Sequence, residues 1–232
     1  MKEINDLIFK ELLKRGYKLE GKTRVWDLAD SKLWYITPKQ SKGFLDLERN
    51  KEYKENMMNR EVELIKTNFN LILDYLRFKS CNLIDLGCGE GKKAVLFIEG
   101  LKNKINLRYC PIDISAYMVK KATETIRQLN IGVVEFNWNI SDFENLANIT
   151  PLLINNQFNN NFMLLLGNTL GNFDREDLLN EIAKSMKKGD VILIGNGLRT
   201  NSDDLVKPYR SQLVNSFLIN VIKQIGLKEE EV

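Results

Sequence analysis

The chain has 232 residues, 44% hydrophobic and 28% charged, an ordinary globular composition with enough apolar side chains to bury a core. Lysine and arginine total 34 against 31 aspartates and glutamates, a net charge of +3 that is too balanced to point to nucleic acid. Histidine is absent, which excludes Ser-His-Asp and Cys-His nucleophilic catalysis, histidine bases and histidine metal sites.

No apolar run reaches the roughly 20 residues of a membrane span, and Met1-Lys2-Glu3-Ile4-Asn5 lacks a signal-peptide core. Cys81, Cys88 and Cys110 are odd in number and contain no C-x-x-C pair, so neither a zinc site nor a disulfide framework is expected. They read as reduced thiols, and the expected location is the cytoplasm.

In chain order, Ile4, Leu7, Ile8 and Leu12 mark a helix over 3–15. Residues 21–50 read as irregular, with aromatics Trp26, Trp34, Tyr35 and Phe44, and 51–77 as mostly helical. A regular alternation follows: a strand over Cys81–Leu86, a helix over Lys92–Lys104 and a strand over Leu107–Ile114. Ser115 caps a helix carrying Met118, Val119, Ala122, Ile126 and Leu129. Val133–Phe136 is a third strand, and the Asn-rich stretch 155–161 is a surface loop. Phe162–Leu166 is a fourth strand, fully apolar and therefore central. A helix over Asp174–Met186, a strand over Val191–Gly195 and a long amphipathic helix through Leu205, Tyr209, Leu213, Phe217, Val221 and Ile225 complete the chain.

This alternation predicts an α/β fold with a parallel sheet of five strands, its ligand site at the carboxyl ends of the strands. The expected organisation is an N-terminal helical and irregular extension over 1–78, a Rossmann-like core over 79–200 and a C-terminal helix over 201–232.

Four segments carry candidate chemistry. Asp85-Leu86-Gly87-Cys88-Gly89-Glu90-Gly91-Lys92-Lys93 follows a strand and opens a helix. Its glycines allow a sharp turn and close approach to a ligand, but the third position of a dinucleotide fingerprint is Lys92, not glycine. The G-x-G-x-G spacing behind an acid resembles motif I of class I S-adenosylmethionine (SAM) methyltransferases, where the loop runs beside the methionine part of the cofactor. Asp113 ends the second strand 24 residues after Gly89, the position of an acid that accepts from ribose hydroxyls. Ser141-Asp142-Phe143 follows the third strand; alone it reads equally as a helix cap and a core Phe, and in series with the first two it is assigned to adenine. Leu166-Gly167-Asn168-Thr169-Leu170-Gly171-Asn172-Phe173 follows the fourth strand. Asn172 has the donor and acceptor to grip a zwitterion, while turn chemistry accounts for Asn168 and Asn172 equally well.

The segments Asn82–Lys93, Arg108–Ser115, Leu165–Phe173 and Asp190–Gly195 together resemble the histidine-specific SAM-dependent methyltransferase family, over roughly residues 50–226. The most specific match is Leu-Gly-[Ser/Asn]-Thr-[Ile/Leu]-Gly-Asn-Phe at 166–173. The motif I reading places Asp85, Gly87 and Gly89 at SAM, and the family resemblance implies that Gly87, Lys93 and Asp113 contact it, with Asp142 and Phe143 at its adenine. It implies that Asn172 and Tyr209 bind the amino-acid substrate; Tyr209 also lies on an apolar helix stripe. Tyr53 falls near a family substrate tyrosine across an alignment gap. The third motif glycine, Gly91, departs from the family's usual Gly-Ser-Gly. The family also continues past Val232 with the last sheet strands and the substrate side-chain pocket. The chain is accordingly read as a fragment or as a minimal member.

The implied activity is SAM-dependent N-methylation of a small amine, above all the α-amine of an amino acid such as histidine. The alternatives are another metabolite or protein amine, or a non-catalytic SAM-binding module. The expected partner is a small-molecule amine, with neither nucleic acid nor membrane. No residue is named as a catalytic base, because a free amine can lose its proton to water and the reaction needs alignment above all.

Overall fold

The computed structural model describes residues 5–27, 32–50, 59–135, 139–141, 143, 145–197, 212–228 and 230. In chain order the elements are α1 (Asp6–Arg15), β1 (Lys18–Glu20), β2 (Thr23–Val25), α2 (Lys32–Tyr35), α3 (Pro38–Arg49), α4 (Asn59–Thr67) and α5 (Phe69–Tyr75). Then come β3 (Ser80–Leu86), α6 (Lys92–Leu101), β4 (Asn106–Ile112), α7 (Ala116–Arg127), β5 (Gly132–Val133) and α8 (Leu146–Leu153). The last are β6 (Asn161–Leu165), a 3-10 turn (Thr169–Asn172), α9 (Arg175–Ser185), β7 (Val191–Ile194) and α10 (Gln212–Gln224). The chain divides into two compact units, Lys54–Gly197 and Met1–Tyr53 with Leu198–Val232.

The larger unit is built on one parallel sheet in the order β5-β4-β3-β6-β7. Side chains alternate across a strand, and the two apolar clusters follow that period. Cys81, Leu83, Leu107, Tyr109, Phe162 and Leu164 face α6 and α7 residues such as Phe97, Ile98 and Ile126. Ile84, Leu86, Cys110, Ile112, Met163 and Leu165 face Leu146, Ile149 and Leu153 of α8 and Leu178 and Ile182 of α9. With both faces covered, the strands read as continuous apolar runs. The chain reverses its direction of winding at β3, so the loops after β3 and β6 lie side by side, the position where such sheets bind ligands.

A polar cluster ties the amino ends of the strands. Asn82 donates to Asn161 Oδ1 at 2.9 Å, and Arg108 Nε donates to Asn82 Oδ1 at 2.9 Å. The Arg108 guanidinium lies 4.6 Å over the Phe158 ring. Asp190 accepts from the Asn161 backbone at 2.8 Å and from its side chain at 3.1 Å. Asn161, the last member of the Asn-rich stretch, therefore opens β6 and is buried.

The turn from β3 into α6 depends on Gly91, the N-cap of α6 at φ 75°. A Cβ there would sit 3.2 Å from Ala122 Cα and 3.3 Å from Ala122 Cβ of α7. Gly91→Ala is expected to cost about 2 kcal/mol, since a side chain in the left-handed region is penalised and α7 would have to give way. A lowered urea midpoint with an unchanged slope checks this.

The smaller unit departs from the irregular reading of residues 21–50. Lys18–Glu20 and Thr23–Val25 form an antiparallel hairpin. Thr37 and Gln40 form a reciprocal capping box with Pro38 at the first turn of α3, a local start signal that the aromatic content obscured. Tyr35, Phe44 and Phe217 cluster with ring centroids 5.2 to 6.0 Å apart, and Ile8, Leu33 and Val221 form a small core with Trp34.

Two further expectations change in the larger unit. The third strand is Gly132–Val133, with an isolated bridge between Asp113 and Ile140; Phe136 lies outside the described residues. Helix α8 was not read from the sequence, although Leu146, Ile149, Thr150 and Leu153 are buried at helical spacing. Pro151 inside it removes a hydrogen-bond donor and masks the pattern. Among the described residues, no helix is long and apolar enough to cross a membrane.

Candidate active site at the strand carboxyl ends

β3 delivers Asp85 and the glycine loop to the carboxyl edge of the sheet, and β4 delivers Asp113 beside them. The Gly87 amide donates to Ile112 O at 2.8 Å and the Cys88 amide to the same oxygen at 3.3 Å. The loop is thereby folded back over the end of β4. Asp113 is 9% exposed; its Oδ2 accepts from the Gly89 amide at 3.2 Å and its Oδ1 from the Ser115 amide at 2.9 Å. Burial raises its pKa to about 6 against the opposing pull of the Ser115, Gly89 and Ile114 amides. Each carboxylate oxygen has two lone pairs, so Asp113 can still accept from a ligand.

Asp85 lies beneath the loop. It is 4% exposed and accepts from the Tyr109 hydroxyl at 2.8 Å. Burial raises its pKa to about 6; the Tyr109 hydrogen bond and the charge of Lys93 oppose this, and Asp113 adds to it. Cys88, within the same loop, is also buried, and that burial holds its thiol well above the ordinary value.

The loop after β6 meets the glycine loop directly. A Cβ on Gly87 would fall 2.9 Å from Thr169 Oγ1, so only glycine permits this approach. Thr169 in turn donates to Leu166 O at 2.7 Å. Gly167 and Asn168 both take positive φ, 73° and 61°, and Asn168 Oδ1 accepts from the Gly197 amide at 2.5 Å. Asn168 is thus occupied in turn chemistry. Asn172 ends the 3-10 turn and is exposed.

Lys93, in the first turn of α6, reaches across to this second loop, and a Cβ on Gly167 would fall 2.5 Å from its Nζ. It pairs with Glu61 of α4 at 2.5 Å, and Glu61 Oε1 accepts from the Gly167 amide at 2.8 Å. Glu61 was not singled out from the sequence.

Phe143 sits at φ 71°, is buried, and packs on Phe173 with centroids 5.3 Å apart. Beside the Asp113–Ile140 bridge, a cavity of about 330 Å³ is lined by Ile140, Ser141, Asn145, Asn148, Ile149 and Leu152. The structure therefore brings together Asp85, Gly87, Gly89, Lys93 and Asp113, and sets Asn172 on the neighbouring loop. Asp142, Tyr53 and Tyr209 lie outside the described residues.

This edge presents carboxylate acceptors at one end and a lysine–glutamate pair at the other. A Cβ on Gly89 would meet nothing within 4 Å, so the loop backbone beside Asp113 is open to close approach. Asp113 over β4 presents acceptor oxygens, whereas Lys93 beyond β3 presents an ammonium donor. Glu61 pairs with Lys93 and Glu90 of the loop with Lys92, and the Asp85 and Asp113 carboxylates add to these. Such an excess of carboxylates favours a cationic ligand.

The fold and the edge define a Rossmann-like SAM methyltransferase core. Its fold matches that of the plantazolicin methyltransferase BpumL in complex with SAH, with a TM-score of 0.50 at 15% identity, over 97% of this chain and 75% of that one. The family described as "Histidine-specific methyltransferase, SAM-dependent" matches residues 34–228. The chain belongs to that family, and its cofactor is SAM. A histidine N-alpha-methyltransferase of Mycobacterium tuberculosis is 27% identical over 180 residues, covering 76% of this chain and 53% of that protein. A carboxy-S-adenosyl-L-methionine synthase of Nautilia profundicola is 29% identical over 181 residues, covering 77% of this chain and 70% of that protein. The chain thus spans about half the length of the first of these relatives.

Proposed function

We propose that this protein is a SAM-dependent N-methyltransferase acting on a small amine, specifically the α-amino group of an amino acid such as histidine. The observation that carries the reading is the 166–173 loop. Its Gly167 and Thr169 pack on Lys93 and Gly87 of the glycine loop, and its Asn172 is exposed. Membership of the histidine-specific family and similarity to a histidine N-alpha-methyltransferase support the same choice of substrate.

SAM supplies an activated methyl group on a sulfonium sulfur. The work of the chain is positioning, which alone accounts for a large share of such a barrier. Asp113 accepts from the ribose diol. Gly87 and Gly89 let the backbone run close to the cofactor, over the buried Asp85. Lys93 serves the carboxylate of the methionine part. The family resemblance assigns Asp142 and Phe143 to the adenine. Asn172 orients the amino-acid substrate through both its donor and its acceptor, and the family resemblance adds Tyr53 and Tyr209. The substrate amine gives its proton to water, so no side chain is assigned as base. The buried free thiols of Cys81, Cys88 and Cys110 support a reducing compartment, in keeping with the cytoplasm.

Incubation with SAM and a panel of amino acids, read by mass spectrometry, tests this directly. A mass gain of one or more methyl groups on the α-amine of one amino acid is expected. Asn172→Ala is expected to retain SAH binding by calorimetry and lose at least about tenfold in turnover, because unpairing a polar substrate group is costly. Unchanged turnover would remove Asn172 from the substrate site.

A further inference from the structure

Glu61 and Lys93 form a pair that the glycine-loop and strand motifs do not account for. Their side chains are 16% and 19% exposed, and an ion pair this sheltered is screened less than a surface one. Glu61 belongs to α4, ahead of the sheet in sequence, yet it lies against the loops after β6 and β7. Its Oε1 takes the Gly167 amide at 2.8 Å, and a side chain on Gly195 would collide with that same oxygen. Its Oε2 is buried, 2.5 Å from Lys93 Nζ, with no aligned hydrogen bond. An acceptor in that state has capacity for a further N–H donor.

The direction of the ligand across the sheet follows from donors and acceptors. Asp113, over β4, offers only acceptors. Lys93, between the loops after β3 and β6, offers only donors. A molecule with a diol at one end and an amino-acid zwitterion at the other has one orientation that satisfies both, with its zwitterion beside Lys93 and Glu61. A single cation would recognise the carboxylate alone. The adjacent cation and anion match both charges of the zwitterion, and a Cβ on Gly167 or Gly195 would collide with that pair.

We propose that Glu61 and Lys93 act together as a clamp for the amino-acid end of the cofactor, with Lys93 on its carboxylate and Glu61 on its ammonium. Glu61 also holds Lys93 and the Gly167 amide at the spacing this requires. The proposal rests on the SAM reading of the site and adds to it a residue outside the glycine-loop and strand motifs.

Calorimetric titration of the full chain with SAH, SAM and 5′-methylthioadenosine tests it, because the last keeps adenine and ribose and lacks the amino-acid end. Glu61→Ala is expected to weaken SAH and SAM by about tenfold or more, within the range of couplings between contacting groups, and to leave 5′-methylthioadenosine unchanged. Glu61→Gln retains an acceptor for Gly167 and loses the charge, so it should fall between wild type and Glu61→Ala. Adding Lys93→Ala to Glu61→Ala should cost less than Lys93→Ala costs alone. Equal losses for all three ligands would mean that Glu61 only supports the fold, and unchanged SAH affinity would mean that it takes no part in binding; either overturns the clamp. Wild-type protein that binds 5′-methylthioadenosine and SAH equally well also overturns it while leaving the nucleoside end intact. Wild type that binds none of the three removes the SAM reading itself, and the clamp with it.

Discussion

Asp113→Asn is expected to lower the affinity for both SAH and 5′-methylthioadenosine about a hundredfold. The diol is common to the two ligands, so the loss does not depend on the amino-acid end. Asparagine presents one acceptor oxygen and one NH2 group where the carboxylate presents two acceptors. The NH2 would face a hydroxyl donor or one of the two amides, Gly89 and Ser115, that Asp113 now receives. Hydrogen bonds to a charged group contribute about 1.5–3 kcal/mol each, and about 2.8 kcal/mol corresponds to a hundredfold. Calorimetry at pH 7.5 on a variant with wild-type circular dichroism is the measurement. Equal affinities would mean that Asp113 merely closes the turn into α7.

The second large effect concerns stability. Asp85 keeps its proton up to about pH 6 in the folded chain, against an ordinary value of 3.8. Between those limits the native state binds more protons than the unfolded state, so stability falls as pH rises. The contribution is fully present below pH 3.8 and is lost as pH passes through about 6, a change of about 3 kcal/mol. Asp85→Asn cannot ionise, and its side-chain oxygen can still accept from the Tyr109 hydroxyl. The stability of the variant relative to wild type is therefore expected to rise by about 2–3 kcal/mol from pH 4 to pH 6.5 and to level off above. Urea denaturation at half-unit pH steps reads this difference. A difference constant across the range would mean that Asp85 is ionised throughout and that its environment offsets the burial.

The two substitutions separate roles that the linear motif cannot. Asp85 and Asp113 both end strands, and both read as site acids. In the structure Asp113 borders the open backbone at Gly89, whereas Asp85 is turned under the loop to Tyr109. Which acid faces a ligand depends on the pleat of each strand and on where the glycine loop crosses, neither of which has a composition signal. Phe143 illustrates the same point: an aromatic after the third strand suits adenine or a core equally in sequence, and here its ring lies in the core against Phe173.

What was legible in the sequence was whatever local physics writes at short range. Apolar runs of strand length ending in glycine, Ser115 ahead of an amphipathic stripe, and the Leu166–Phe173 string each carry their meaning within about a dozen residues. From these came the parallel sheet, its site edge, the glycine loop and Asp113, whereas Lys93 was singled out only through the family resemblance. Helix α8 escaped because Pro151 breaks the pattern that its buried positions otherwise keep. The segment over 21–50 reads as irregular in sequence because its apolar residues serve a small separate core, with Leu33 and Trp34 on α2 and Tyr35 against Phe44.

The tertiary structure alone decided which distant residues meet. Glu61 joins Lys93, 32 positions on, and Gly167, 106 positions on, and Tyr109 joins Asp85, 24 positions earlier on the neighbouring strand. By itself the sequence determined the class of fold and the edge at which the candidate motifs stand, because backbone periodicity and glycine turns are local constraints. Proximity across the sheet is set by strand order and by the packing of both its faces. It therefore becomes visible only when the whole larger unit has closed around its core.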